Sequence, residues 1–266
     1  MDEFDFLNGF MSDRQIKKLN KQSKKEKSII QSKSLRGSQQ IAQDNVATFN
    51  IKELNAKTPN QQLLIDSLPH FNQIICFGPA GTGKTYVQTA FAARQFLQKK
   101  IDKIVITRPN VATGKTLGLF PGDVTEKMMV WCQPIVQVLK EYLGESLFEY
   151  ALKKGQIELQ PLETIRGRSF KNAIVIIDEA ENLEIEEVKA LVTRIGENSK
   201  IIFNGDIAQK DIKTVSGLEF LLDAIYKSQE LQNYSAIVEF TVDDIVRSDL
   251  CKAWIKYFYS NGKNAA

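Results

Sequence analysis

The sequence predicts an α/β fold in which a mainly parallel sheet is flanked by helices on both faces. Two observations carry that expectation. Short apolar runs with little polar alternation recur along the chain, separated by helical patterns, which is how strands buried on both faces read. One such run, Ile74-Ile75-Cys76-Phe77, leads directly into Gly78-Pro79-Ala80-Gly81-Thr82-Gly83-Lys84-Thr85, which fits G-x-x-x-x-G-K-[ST] at every fixed position.

The elements follow in order. A core is expected from about residue 57. Thr58 and Pro59 are good helix starters there, and Leu63, Leu64, Ile65 and Leu68 give the helix an apolar face. After the glycine loop, an alanine-rich helix is expected over 86–98. A strand over 103–107 ends at Arg108-Pro109, and a loop containing Gly114, Gly118, Pro121 and Gly122 leads to one long helix over about 124–142. Strands are expected at 157–160, 173–177, 200–204 and 235–240, with helices at 185–195, 217–226 and 250–259 between and after them. Trp131 and Trp254 fall in helical apolar stripes, so both are expected in the core. There is no internal repeat.

With 266 residues, 43% hydrophobic and 25% charged, the chain has ample material for a core. No run of about 18 apolar residues suggests a membrane span, and the first thirty residues lack the apolar stretch of a signal peptide. Cys76, Cys132 and Cys251 are odd in number and far apart, which fits a reducing, cytoplasmic setting. With His70 as the single histidine, a zinc site or a Ser-His-Asp triad is an unpromising reading. The net charge of +3 hides an asymmetry: residues 14–36 hold nine basic residues and one acid, Glu26, while the remainder holds 26 basic and 31 acidic residues. Residues 1–56 therefore read as a basic N-terminal arm, too polar to bury much surface and able to contact nucleic-acid phosphates. A small apolar patch (Phe4, Phe6, Leu7, Phe10, Met11) lies at its start, and residues 57–266 are the expected domain.

The loop's chemistry points to a nucleoside triphosphate. Its glycines let consecutive backbone N–H groups turn toward phosphate oxygens at a helix N-terminus, where negative charge is favoured. Lys84 would reach the β- and γ-phosphates, and Thr85 would offer its hydroxyl to Mg²⁺. A second run, Ile174-Val175-Ile176-Ile177-Asp178-Glu179-Ala180-Glu181-Asn182, delivers an acid pair at the carboxyl end of a buried strand. Ligands of open parallel sheets bind at that end. Asp178 there can hold the metal, and Glu179 can orient or deprotonate water, which favours hydrolysis over transfer to another hydroxyl. On the next strand, Asn204, Asp206 or Gln209 could face the γ-phosphate.

Taken together, the runs resemble the PhoH-like proteins, a phosphate-starvation-inducible ATPase family related to the core of superfamily 1 helicases. They are Gly78–Thr85; Thr107-Arg108-Pro109 with Gly118 and Pro121-Gly122-Asp123; Arg166-Gly167-Arg168-Ser169-Phe170; Asp178-Glu179-Ala180-Glu181-Asn182; Thr193-Arg194-Ile195-Gly196 with Asn198-Ser199-Lys200; Gly205-Asp206 with Gln209; and Asp243-Asp244-Ile245-Val246-Arg247. The resemblance covers residues 58–259 and suggests a phage-type member, which would place the chain in a host cytoplasm. It implies a single RecA-like P-loop NTPase core with ATP and Mg²⁺. Gln61 would recognise adenine, and Gly78, Pro79, Ala80, Gly81, Thr82, Gly83, Lys84, Thr85 and Tyr86 would hold the nucleotide. Thr85 and Asp178 would hold the metal, Glu179 would be the base, Gln209 the γ-phosphate sensor and Arg247 an arginine finger. The stretch Thr113-Gly114-Lys115-Thr116 departs from the family, where an acid is usual.

One core has no second core to close upon it, so Arg247 is expected to project away from its own site and serve a neighbour. That predicts a homo-oligomer, a hexameric ring, acting on single-stranded nucleic acid, with RNA favoured over DNA and no membrane. The alternatives are an ATP-switched nucleic-acid-binding module without helicase activity, and a kinase. Arg108 and Arg166-Gly167-Arg168 are candidates for nucleic-acid contact or for structural pairing.

Overall fold

The structure, a computed structural model, describes residues 51–109, 124–165 and 167–261. The basic arm's residues 1–50, the loop with Thr113–Thr116 and Gly118–Asp123, and Arg166 lie outside the described residues. The sheet contains β1 (Gln73–Phe77), β2 (Lys103–Arg108), β3 (Ile157–Pro161), β4 (Ala173–Ile177), β5 (Lys200–Gly205) and β6 (Ser235–Glu239). Every pairing is parallel and the strand order is β3-β2-β4-β5-β1-β6. The strand that feeds the glycine loop and the strand that feeds the acid pair are thus separated by one strand, β5.

β-Branched residues make this sheet because both of its faces are covered. Ile75, Val105, Val175, Ile177, Ile201 and Phe203 share one face with Val188 and Leu191 of α6 (Ile185–Val192) and with Leu218, Leu221 and Ile225 of α7 (Gly217–Lys227). On the other side α2 (Lys84–Leu97) packs against β2, β4 and β5 and against α4 (Gln133–Leu143). Full burial of each large apolar side chain contributes about 1.5–3 kcal/mol. Helix α1 (Pro59–Ser67) is started by the Thr58 hydroxyl, which accepts from the Gln61 N–H, with Pro59 in the first turn.

The expected long helix over 124–142 is broken. It is α3 (Val124–Trp131) followed by α4, divided at Cys132 with Pro134 in the first turn of the second helix. A further helix, α5 (Glu145–Lys153), follows Gly144 and has no counterpart in the sequence reading. After α7 come a single turn, α8 (Gln229–Gln232), and the final helix α9 (Asp249–Asn261). Trp254 on α9 is 54% exposed, against the expectation of core packing. No other part of the described chain covers its stripe.

Candidate functional site: a nucleotide cavity at the carboxyl edge of the sheet

Parallel pairing brings the functional strand ends to one edge. Phe77 pairs with Gly205 and Ile177 with Phe203, so Gly78, Asp178 and Asp206 emerge side by side. Above them is a cavity of about 770 Å³ lined by Gly81, Gly83, Lys84 and Thr85 of the loop, by Asp178, Glu179, Asn204 and Gln209, and by Gln61 and Arg247.

The loop is held in a phosphate-accepting shape by contacts that require glycine. Gly83 has φ +86°, and a Cβ there would stand 2.6 Å from the Gln61 amide nitrogen. That amide donates to the Thr82 carbonyl at 2.8 Å, while its oxygen accepts from the Lys57 N–H at 2.8 Å. Gln61, expected to read adenine, therefore lies on the cavity wall with both ends of its amide bound to backbone, tying the loop to the strap before α1. Lys84 donates to the carbonyls of Gly78 at 2.7 Å and Pro79 at 2.8 Å. Burial pushes its pKa down, although Cys76, Asp206, Glu181 and Asp178 act in the opposite sense.

Thr85 and Asp178 are brought together by Asn204. Its amide nitrogen donates to Thr85 Oγ1 at 3.0 Å and to Asp178 Oδ1 at 2.5 Å. Burial, and next the charge of Glu179, push the Asp178 carboxyl up, so the site favours a cation beside it. Among the described residues no group of three or more His, Cys, Asp or Glu could hold a metal. A hydroxyl and one carboxylate fit Mg²⁺, which binds nucleotide sites through one or two protein oxygens and the substrate's phosphates.

Glu179 adopts φ +55°, a left-handed conformation uncommon for a residue with a Cβ. The turn lifts its half-exposed carboxylate off the strand, where Arg108 approaches it at 3.8 Å. Arg108 also donates to the Trp131 carbonyl at 2.9 Å and lies over the Trp131 ring. Arg168 pairs with Glu158 at 2.7 Å and stacks on Phe170, which is structural pairing.

Arg247 departs from expectation. It does not project away from its own site: it lines the cavity, and a Cβ on Gly81 (φ +81°) would stand 2.9 Å from its Cγ. The neighbouring Val246 N–H donates to the Gly81 carbonyl at 2.9 Å, which lays this turn against the loop. Of the acids close to it in sequence, Asp243 is engaged with Lys256 and Asp244 with Asn60.

Two further groups were not singled out in the sequence. Glu181 is buried, accepts from the Asp206 N–H at 3.0 Å and is pushed well above the carboxylate range by burial and by Glu179. Its position inside the Asp178–Asn182 run was the available signal. Tyr259 donates its hydroxyl to Asp206 from α9, and nothing local marks it.

A phosphate loop and an acid pair on strands separated by one other, at the carboxyl edge of a parallel sheet, define a RecA-like P-loop NTPase core. A family model described as PhoH-like protein matches residues 53–259, and the chain belongs to that family. Protein PhoH of Escherichia coli (strain K12) is 40% identical over 183 residues, 67% of this chain and 51% of that protein. The PhoH-like protein of Mycobacterium tuberculosis (strain ATCC 25618 / H37Rv) is 33% identical over 212 residues, 77% of this chain and 59% of that one. The chain thus spans about half the length of the curated relatives it matches. Among solved structures, the HK97 bacteriophage large terminase aligns over 80% of this chain and 48% of its own, at 12% identity and TM-score 0.49. The Pif1 helicase from Candida albicans aligns over 71% and 41%, at 14% identity and TM-score 0.34.

Proposed function

We propose that this chain is a Mg²⁺-dependent ATPase that couples hydrolysis to binding of single-stranded nucleic acid, RNA in preference to DNA, and to translocation or unwinding. The observation that carries the ATPase reading is the joined set Lys84, Thr85, Asn204, Asp178 and Glu179 around one cavity. Lys84 exchanges its two loop carbonyls for the β- and γ-phosphates. Thr85 and Asp178 would hold Mg²⁺, which neutralises phosphate charge when bound. Glu179 orients the attacking water and takes its proton. Gln209 reads the γ-phosphate, and Arg247, on the rim beside Gly81, supplies charge to the transferring group. The nucleic-acid part rests on the kinship with superfamily 1 helicases and on the basic segment 14–36.

Assembly into a homo-oligomer, a hexameric ring, belongs to the same proposal. It is supported by the exposed apolar face of α9, close in sequence to Arg247. The test is ATP hydrolysis by wild type, K84A, E179Q and R247A, with and without single-stranded RNA or DNA. Each variant is expected to lose at least about 10³-fold, since arginine fingers alone contribute about 10³–10⁵-fold. Single-stranded nucleic acid is expected to stimulate the wild type. Mixing R247A with E179Q decides how the finger acts: recovered activity means a trans finger in a ring, and none means Arg247 serves its own cavity. Turnover that ignores nucleic acid would favour an ATP-switched binding module.

A further inference from the structure

Helix α9 reaches the phosphate end of the cavity through one side chain. The Tyr259 hydroxyl donates to Asp206 Oδ2, and the same oxygen accepts from Gln209 Nε2 at 2.6 Å. The other oxygen, Oδ1, accepts from the Ala208 N–H at 3.1 Å, and the Asp206 N–H is fixed on Glu181 at 3.0 Å. The carboxylate therefore accepts from three groups, two on the turn Ile207–Gln209 and one on the last helix, while the acid run holds the Asp206 backbone N–H. Burial, and then Asp206 itself, push the Tyr259 phenol up, so it remains a donor across neutral pH.

Packing explains only part of how α9 lies here: Cys251, Ile255 and Tyr259, at helical spacing, are half-buried. No described side chain of α9 is fully buried, and four of its large apolar residues, Leu250, Trp254, Tyr257 and Phe258, face outward at 71%, 54%, 57% and 59% exposure. A helix held by the hydrophobic effect alone would turn its bulkiest stripe inward. A polar tether at Tyr259 adds to that shallow contact and holds the end of the helix at the site, with the exposed Lys256–Asp243 pair beside it.

We propose that Tyr259 is a positioning residue which, through Asp206, fixes Gln209 at the phosphate end of the cavity and makes the terminal helix part of the nucleotide site. The inference rests on the ATPase reading above. With the hydroxyl gone, Asp206 Oδ2 has one donor fewer, and Gln209 loses the rigid acceptor that sets its amide. The geometry for the chemical step suffers while binding of the nucleotide does not.

The experiment compares full-length wild type, Y259F, Q209A and Y259F/Q209A. The expected result for Y259F is a kcat lower by roughly tenfold, the scale of one lost hydrogen bond to a charged group, with KM for ATP within about twofold. The double variant should lose no more than Q209A alone, because both substitutions remove one unit. A second readout is independent of turnover. In a W131F background Trp254 is the sole tryptophan, and its emission should differ between bound ADP and a non-hydrolysable ATP analogue only when Tyr259 keeps its hydroxyl. Wild-type kcat in Y259F, or losses that multiply in the double variant, would overturn the proposal, as would a lowered Tm alone. If wild type turns nothing over, the ATPase reading fails by itself. The Trp254 difference between the two nucleotides, present in wild type and absent in Y259F, would then still carry the role of Tyr259, and its absence from wild type would end it.

Discussion

Glu181 and Asp244 are both buried carboxyls, and their surroundings move their protons in opposite directions. Around Glu181, burial and the neighbouring Glu179 outweigh the two backbone N–H groups and raise its pKa. A raised folded value means that this group's stability is fully present below the ordinary glutamate range and is lost as pH rises through the folded value. E181Q keeps the shape and removes the ionisation. Without nucleotide and Mg²⁺, the wild type should therefore lose thermal stability relative to E181Q between about pH 5 and pH 9. Scanning calorimetry across that window checks it, with a Tm difference of about 2–4 °C for each kcal/mol. A constant difference would remove Glu181 as the titrating group. Asp244 is the contrary case. Burial acts to raise it, but hydrogen bonds from Asn60, the Thr241 N–H and the hydroxyls of Thr58 and Thr241 win and lower it. Its stabilising contribution is present above the ordinary aspartate range and is lost as pH falls through the lowered folded value.

Asp244 also carries an argument at the scale of elements. It accepts from Asn60 on α1 at 2.8 Å and from the Thr241 N–H at 2.8 Å, closing the turn Val242–Asp244 that leads to Arg247. One residue further along α1, Gln61 holds the Thr82 carbonyl of the phosphate loop. Helix α1 thus ties two walls of the cavity together, and D244A should loosen both. The expected loss is about 1.5–3 kcal/mol at neutral pH, read by denaturant unfolding, and it should shrink toward zero in acid. Equal destabilisation at pH 7 and pH 3 would contradict the assignment. The sheet and the acid strand are legible in the sequence because a strand buried on both faces writes itself as a continuous apolar run. The phosphate loop is legible because its glycines are spaced by backbone geometry. Breaks and directions are not. The division of α3 from α4 at Cys132, and the start of α5 after Gly144, leave the apolar period almost undisturbed. Arg247 reads as a distant residue until β6 folds beside β1 and lays its turn on Gly81. The bond from Tyr259 to Asp206 spans 53 positions and has no local signature.

At the scale of the whole molecule, the outward face of α9 poses the same problem in reverse. Leu250, Trp254, Tyr257 and Phe258 recur at helical spacing, a pattern that ordinarily marks a buried stripe. In the described chain the stripe stays exposed. Trp254 stacks on Phe258 at 5.6 Å and meets Tyr257 edge-on at 6.0 Å, so the three rings form one cluster. Clustered aromatics near an interface centre commonly supply much of an association energy. The proposed ring offers a second copy to cover them, and the turn bearing Arg247 lies at the start of the same helix. Replacing Leu250, Trp254 and Phe258 together by serine leaves Tyr259 in place and removes most of this apolar surface. Light scattering with Mg²⁺ and a non-hydrolysable ATP analogue should find an oligomer for the wild type and a monomer for the triple variant. The variant's nucleotide affinity should stay within about threefold, because none of the three residues lines the cavity. A triple variant that assembles as the wild type does would put the interface on another face. A wild type that is monomeric under these conditions would remove the ring and leave Arg247 to act on its own chain's nucleotide.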